Sequence, residues 1–216
     1  GSPGHFGGRV WHGSHRHLVN RRQGSSTWTE GWWSRARPVP STNFNARPPG
    51  LPVDLVVVHS ISLPPGVFGG NDVEALFTNR LDVSAHPFYA GLRGLEVSAH
   101  FLVRRDGGLI QFVSCDDRAW HAGASRWHER SSCNDYSIGI ELEGLEGETF
   151  DLVQYQVLAG TLRALATRYP LTEVVGHEHV SPGRKRDPGP GFDWPLLRKL
   201  LRRRSPRLWP HIGEGP

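Results

Sequence analysis

Apolar positions along the chain alternate between two periods, one suited to strands and one to helices. Leu55-Val56-Val57-Val58 is a β-branched run behind Pro48, Pro49 and Pro52. It predicts a buried strand ending at His59. Asn71 to Leu81 carries apolar residues at helical spacing behind an Asn-Asp start, which predicts a helix. Ala99 to Val103 and Leu109 to Val113 flank Arg105-Asp106-Gly107-Gly108, a hairpin signal. In Ser137 to Glu143 the residues Ile138, Ile140 and Leu142 share one face of a strand, and Gly139, Glu141 and Glu143 share the other. Asp151 to Tyr169 has the stripe Val153, Val157, Leu158, Leu162 and Leu165 and is closed by Pro170, so it reads as an amphipathic helix. Glu173 to Gly176 is a short strand leading into His177, and Asp193 can cap a last helix through Pro195, Leu196, Leu197 and Leu200. Between them, 181 to 192 is rich in glycine and proline and predicts an irregular functional segment. Interspersed strands and helices with one obligatory hairpin predict an α+β fold, a single domain whose mixed β-sheet is flanked by helices.

Residues 1–27 show no apolar periodicity and read as an N-terminal extension, leaving 28–216 as the domain. Gly1-Ser2 has the look of a protease scar, and His5, His12, His15 and His17 belong to the extension. Hydrophobic content of 37% and charged content of 21% are ordinary for a globular protein. No apolar run approaches the roughly 18 residues of a membrane helix, so no membrane partner is expected. The N-terminus also lacks the residue order of a secretory signal. Two cysteines, Cys115 and Cys133, do not make a disulfide framework, and a reducing compartment is the simpler expectation. The net charge of +4 comes from arginine, with a cluster at Arg202, Arg203, Arg204 and Arg207. Arginine crowded at a helix end suits the helix dipole, and no nucleic-acid partner is expected.

Metal-capable side chains sit at the ends of the predicted strands. His59 ends the first strand, His177 follows the last, and Asp187 lies ten residues further on. Two imidazoles and a carboxylate match a catalytic zinc site, which keeps its fourth position open. No compact motif links the three, and His179 is a rival to His177 because residues two apart share a strand face. Glu141 points off the apolar face of its strand towards a possible groove, and Glu143 points the same way. Lysine occurs only at Lys185 and Lys199, so Lys185 between Arg184 and Arg186 is conspicuous in an arginine-using chain. Asp187 precedes Pro188, which restricts its backbone.

The stretches VVVHSISLPPG (56–66), FTNRLD (77–82), SAHFLVRRDG (98–107), RAWHAG (118–123), NDYSIGIELEG (134–144) and GHEHVSPGRKRDPGPGFDW (176–194) resemble the AmpD family. These are N-acetylmuramoyl-L-alanine amidases of the type-2 amidase group, related in fold to peptidoglycan recognition proteins. The resemblance runs from about Trp28 to Leu201. It implies the type-2 amidase fold and one Zn2+ per chain on His59, His177 and Asp187. It assigns Glu141 and Lys185 to catalysis and selects Glu141 over Glu143, as it selects His177 over His179. It implies a cytoplasmic, monomeric enzyme that takes muropeptides, 1,6-anhydromuramyl peptides above all, in peptidoglycan recycling. Trp120 is a candidate aromatic wall for substrate. Ser60 stands where such families usually have Asn, a candidate substrate contact, and Arg186 stands where a small hydroxyl residue is common. A non-catalytic peptidoglycan-binding protein and an envelope amidase acting on intact cell wall are the competing expectations.

Overall fold

The computed structural model describes residues 26–202 and 209–210. The expected extension therefore lies outside the described residues except for Ser26 and Thr27, as do His5, His12, His15, His17, Arg203, Arg204 and Arg207. The central sheet has seven strands: β1 (Arg37–Pro38), β2 (Leu55–Ile61), β3 (Phe101–Val103), β4 (Leu109–Gln111), β5 (Ser137–Glu143), β6 (Glu173–Gly176) and β7 (Trp209–Pro210). Their order across the sheet is β7-β6-β2-β5-β3-β4-β1. Only β3 and β4 run antiparallel, joined by the expected turn at Gly107, so the sheet is mixed. Among the described residues the four α-helices are α1 (Asp72–Phe77), α2 (Leu152–Ala166), α3 (His177–Val180) and α4 (Trp194–Arg202).

The alternation read in the sequence decides which sheet face meets which layer. Val56, Val58, Ile138, Ile140 and Leu142 are completely buried with Leu158, Leu162 and Leu165 of α2 and Leu197 and Leu201 of α4. Gln154 turns back to accept a hydrogen bond from the Asp151 N–H at 3.1 Å, so α2 starts where the sequence predicts. Asp193 Oδ1 accepts from Leu196 N–H at 2.9 Å and caps α4. Leu55 and Val57 point to the opposite face, where Ala122, Trp127, Tyr136, Val175 and Val180 cover them. A third cluster around Phe77, Tyr89, Leu102 and Phe112 lies under α1 and the loop after it.

Some elements differ from expectation. The helix predicted over 71–81 stops at Phe77, because the Phe77 carbonyl accepts from the Ser41 hydroxyl at 2.5 Å and Asn79 takes a left-handed φ of 59°. Both hairpin strands are two residues shorter than predicted. Residues 28–45, for which periodicity predicts nothing, form two-residue strands. They are tied down by the buried Gln111 amide, which accepts from Trp33 N–H and donates to the Gly31 carbonyl, both at 2.8 Å. Among the described residues no helix is long and apolar enough to cross a membrane, and Cys115 and Cys133 are free and buried.

Candidate metal centre

Parallel pairing of β2 and β5 sets His59 beside Glu141 in register, and pairing of β6 with β2 ends at Gly176 opposite Val58. The next residue, His177, opens α3 next to His59. The 181–192 segment then returns Asp187 to the same point. The sequence alternatives separate here: His177 joins the group, whereas His179 Nδ1 accepts from the Gly176 N–H at 2.8 Å and closes the first turn of α3. His59, His177 and Asp187 each bring one ligand atom to a place where all lie within 4.8 Å of one another.

Hydrogen bonding on the far side of each ring fixes the near side. His177 Nε2 lies 3.0 Å from the Ala122 carbonyl, which can only accept, so Nε2 carries the proton and Nδ1 of the neutral ring is a bare lone pair. For His59 the chain of bonds is longer. The Ser137 hydroxyl spends its hydrogen on the Cys133 carbonyl at 2.5 Å, so Oγ must accept from His121 Nε2–H at 3.1 Å. His121 Nδ1 is then the acceptor, His59 Nε2–H donates to it at 2.9 Å, and His59 Nδ1 is bare. Burial, then the neighbouring His177, pushes His59 down to about 4, and burial first of all drives His121 well below its ordinary value, so both stay neutral at pH 7.

Two bare Nδ1 atoms therefore face each other at 3.0 Å, with Asp187 oxygens 3.2–3.3 Å from each. Electron-rich atoms this close call for a cation between them. The edge of a tetrahedron with zinc-like bond lengths is about 3.3 Å, and the observed separations fit it. Two His and one Asp is also the donor set of an open zinc site, with one position left for water or substrate.

Glu141 Oε1 is 3.8 Å from His59 Nδ1, and the buried Oε2 has no hydrogen-bond partner. Burial, then Asp187, pushes the Glu141 carboxyl well above the usual range, and Lys185 pulls it part of the way back. Glu143 is a different case. Its carboxylate accepts from the Gly69 and Arg105 backbone N–H groups, both at 3.0 Å, and so clips the loop after β2 in place. Side by side on the strand, one glutamate faces the centre and the other is committed to structure.

The centre opens into a cavity of about 510 Å³, lined by Lys185, Ser60 and Trp120 on one part and Leu63, Phe88 and Leu145 on another. Lys185 is exposed at its rim. Ser60 N–H points at Asp187 Oδ2 at 3.4 Å, and its buried Oγ is unpaired. Trp120 is half-buried, with Nε1 donating to Asn45 Oδ1 at 2.9 Å, so it is a wall of the cavity and not a core residue. His121 and Ser137 went unremarked in the sequence reading. Gly139 in the middle of β5 was the available signal, since an interior strand glycine marks a close approach, and a Cβ there would sit 2.4 Å from the His121 ring.

An open two-histidine, one-carboxylate centre with a buried glutamate at a cavity mouth defines a metal-assisted hydrolase type of site. Residues 49–190 match the family described as N-acetylmuramoyl-L-alanine amidase, and the chain belongs to that family. Among individual relatives, the chain is 52% identical to the 1,6-anhydro-N-acetylmuramyl-L-alanine amidase AmpD of Citrobacter freundii, over 80% of this chain and 93% of that protein. It is 51% identical to AmpD of Escherichia coli K12, over 80% of this chain and 95% of that protein. A crystal structure of a selenomethionine derivative of AmpD superposes with a TM-score of 0.78 at 51% identity, covering 81% of this chain and 99% of that one. The amidase AmiD of Escherichia coli, in complex with anhydro-N-acetylmuramic acid-L-Ala-D-γ-Glu-L-Lys, matches at a TM-score of 0.54 and 27% identity, over 81% of this chain and 65% of that one.

Proposed function

We infer that this enzyme hydrolyses the amide between N-acetylmuramic acid and L-alanine in muropeptides, with 1,6-anhydromuramyl peptides preferred, in peptidoglycan recycling. One observation carries the reading: three lone-pair donors converge beside a buried, unpaired carboxylate oxygen at the mouth of a cavity large enough for a muropeptide end. The relatives named as 1,6-anhydro enzymes support the substrate choice. His59, His177 and Asp187 would hold a single Zn2+. When bound there, zinc supplies Lewis acidity, which lowers the pKa of water and polarises a carbonyl.

The remaining steps belong to the chain itself. Glu141 takes the proton from the attacking water and delivers it to the departing L-alanine nitrogen, a role suited to a buried carboxyl whose pKa is raised well above the usual range. Lys185, at the rim, stabilises the oxyanion of the tetrahedral intermediate. Trp120 gives the sugar or peptide an aromatic wall, and the Ser60 hydroxyl takes the contact that Asn makes elsewhere. We place residues 28–216 in one amidase domain acting as a monomer in the cytoplasm. Two free, buried cysteines suit that reducing compartment.

Comparing kcat/KM on the anhydro and reducing forms of one muropeptide, and on intact sacculi, tests the substrate choice, because discrimination is a ratio of those constants. Preference for the anhydro form is expected. Equal values, or faster release from sacculi, would remove the recycling role and favour an envelope amidase. No hydrolysis of any of the three would favour a pure peptidoglycan-binding protein.

A further inference from the structure

Both histidines of the centre are held from behind by one short segment, 120–122, which belongs to neither β2 nor α3. The Ala122 carbonyl takes His177 Nε2–H, and the His121 ring takes His59 Nε2–H. That segment is itself fixed, since Asn134 Oδ1 accepts from the His121 and Ala122 N–H groups at 3.2 and 2.8 Å. The His121 ring stands nearly perpendicular to His59, at 86°, against the bare backbone of Gly139. Its other nitrogen is anchored on Ser137, whose hydroxyl ends the chain on the Cys133 carbonyl.

We propose that His121 is a positioning residue for the metal centre: the relay from Cys133 through Ser137 and His121 locks His59 in the tautomer that presents Nδ1 to the ion. The inference rests on the metal reading above and adds a residue outside the ligand set. His121 does not act on substrate. Both its ring nitrogens are used, one on His59 and one on Ser137. Direction along the relay is set at its far end, because a hydroxyl with its hydrogen committed to a carbonyl can only accept from the next group. Losing the relay would let His59 carry its proton on Nδ1, and that tautomer must be paid back before a metal binds. Partners of this kind are typically worth about 10- to 100-fold in metal affinity.

The test uses H121L, H121N and S137A beside the wild type. Asparagine can present an oxygen near the place of His121 Nδ1 and accept from His59, whereas leucine cannot. S137A removes only the anchor of the His121 proton and is the milder cut should H121L fold poorly. Two quantities are read: the zinc dissociation constant by competition with a chromophoric chelator, and the His59 ring tautomer by 15N NMR of the metal-free protein. Expected are an Nε2–H His59 in the wild type, zinc binding weakened about 10- to 100-fold in H121L and about tenfold in S137A, and most of that loss recovered in H121N. A wild-type His59 protonated on Nδ1, or H121L and S137A both binding zinc as the wild type does, would overturn the proposal. A wild type that takes up no zinc would instead overturn the metal reading, and the His59 tautomer would still decide the relay.

Discussion

Gly139→Ala puts one methyl group where the relay is tightest. In an ordinary strand this change stabilises by about 0.5–1 kcal/mol, because glycine loses more backbone freedom on folding. Here the new Cβ would lie 2.4 Å from His121 Cγ and 2.7 Å from Cδ2 and Nδ1. Carbon atoms rest at about 3.5–4.0 Å, so the ring must retreat by roughly 1 Å. Hydrogen bonds of 2.9 Å to His59 and 3.1 Å to Ser137 cannot survive such a move. Overpacking costs about 1–3 kcal/mol and each of the two lost bonds about 0.5–1.5, so after the backbone gain the net loss is roughly 1–5 kcal/mol. For a domain of this size that lowers Tm by about 2–20 °C. Thermal unfolding followed by circular dichroism, in chelator, reads the effect without any metal contribution. A Tm equal to or above the wild type would refute the packing argument, since an unobstructed methyl must stabilise.

Other outcomes follow from the same geometry. Glu141→Gln keeps the shape of the side chain and removes its basicity, so zinc content should persist while kcat falls by about 10²–10⁴; an unchanged rate would move the proton carrier elsewhere. Lys185→Ala should lower kcat by about 10²–10³ with zinc retained, and an effect confined to KM would make it a substrate contact instead. His100 is fully buried and pushed down to about 3 by burial first and Arg47 second. The unfolded chain therefore takes up a proton below pH 6.5 that the folded one refuses, and metal-free stability should fall as pH drops from 6.5 towards 3. From pH 7.5 to 5 this ring alone costs about 2 kcal/mol, visible in the urea midpoint; a midpoint that is flat or rises towards pH 5 would contradict it.

Five strands of the sheet, both long helices and the three ligand candidates were legible because each rests on a local signal: a β-branched run, a 3.6-residue stripe, a cap, a strand end. What was not legible depends on distant partners. The helix from Asp72 stops at Phe77 because Ser41 takes its carbonyl, and no window around 71–81 contains Ser41. Alternation puts Glu141 and Glu143 on one face but cannot say that Gly69 and Arg105 wait opposite only the second. The family likeness, not periodicity, chose between His177 and His179, and the structure brings His177 rather than His179 to His59 and Asp187 because of a turn at Gly176 that no strand pattern encodes. His121 lies outside any periodic element, so its role emerges only once β5 brings Ser137 and Gly139 beneath it.

In the proposed mechanism His59, His177 and Asp187 hold one zinc ion on which muramoyl-alanine hydrolysis depends. Its most direct test is release of peptide from an anhydromuropeptide by protein as purified, after chelator treatment, and after zinc is restored, with zinc per chain measured in each sample. Expected are one zinc per chain, loss of hydrolysis with loss of metal, and recovery on restoration in the wild type but not in His177→Ala. Full hydrolysis by the metal-free protein, or by metal-free His177→Ala, would contradict it.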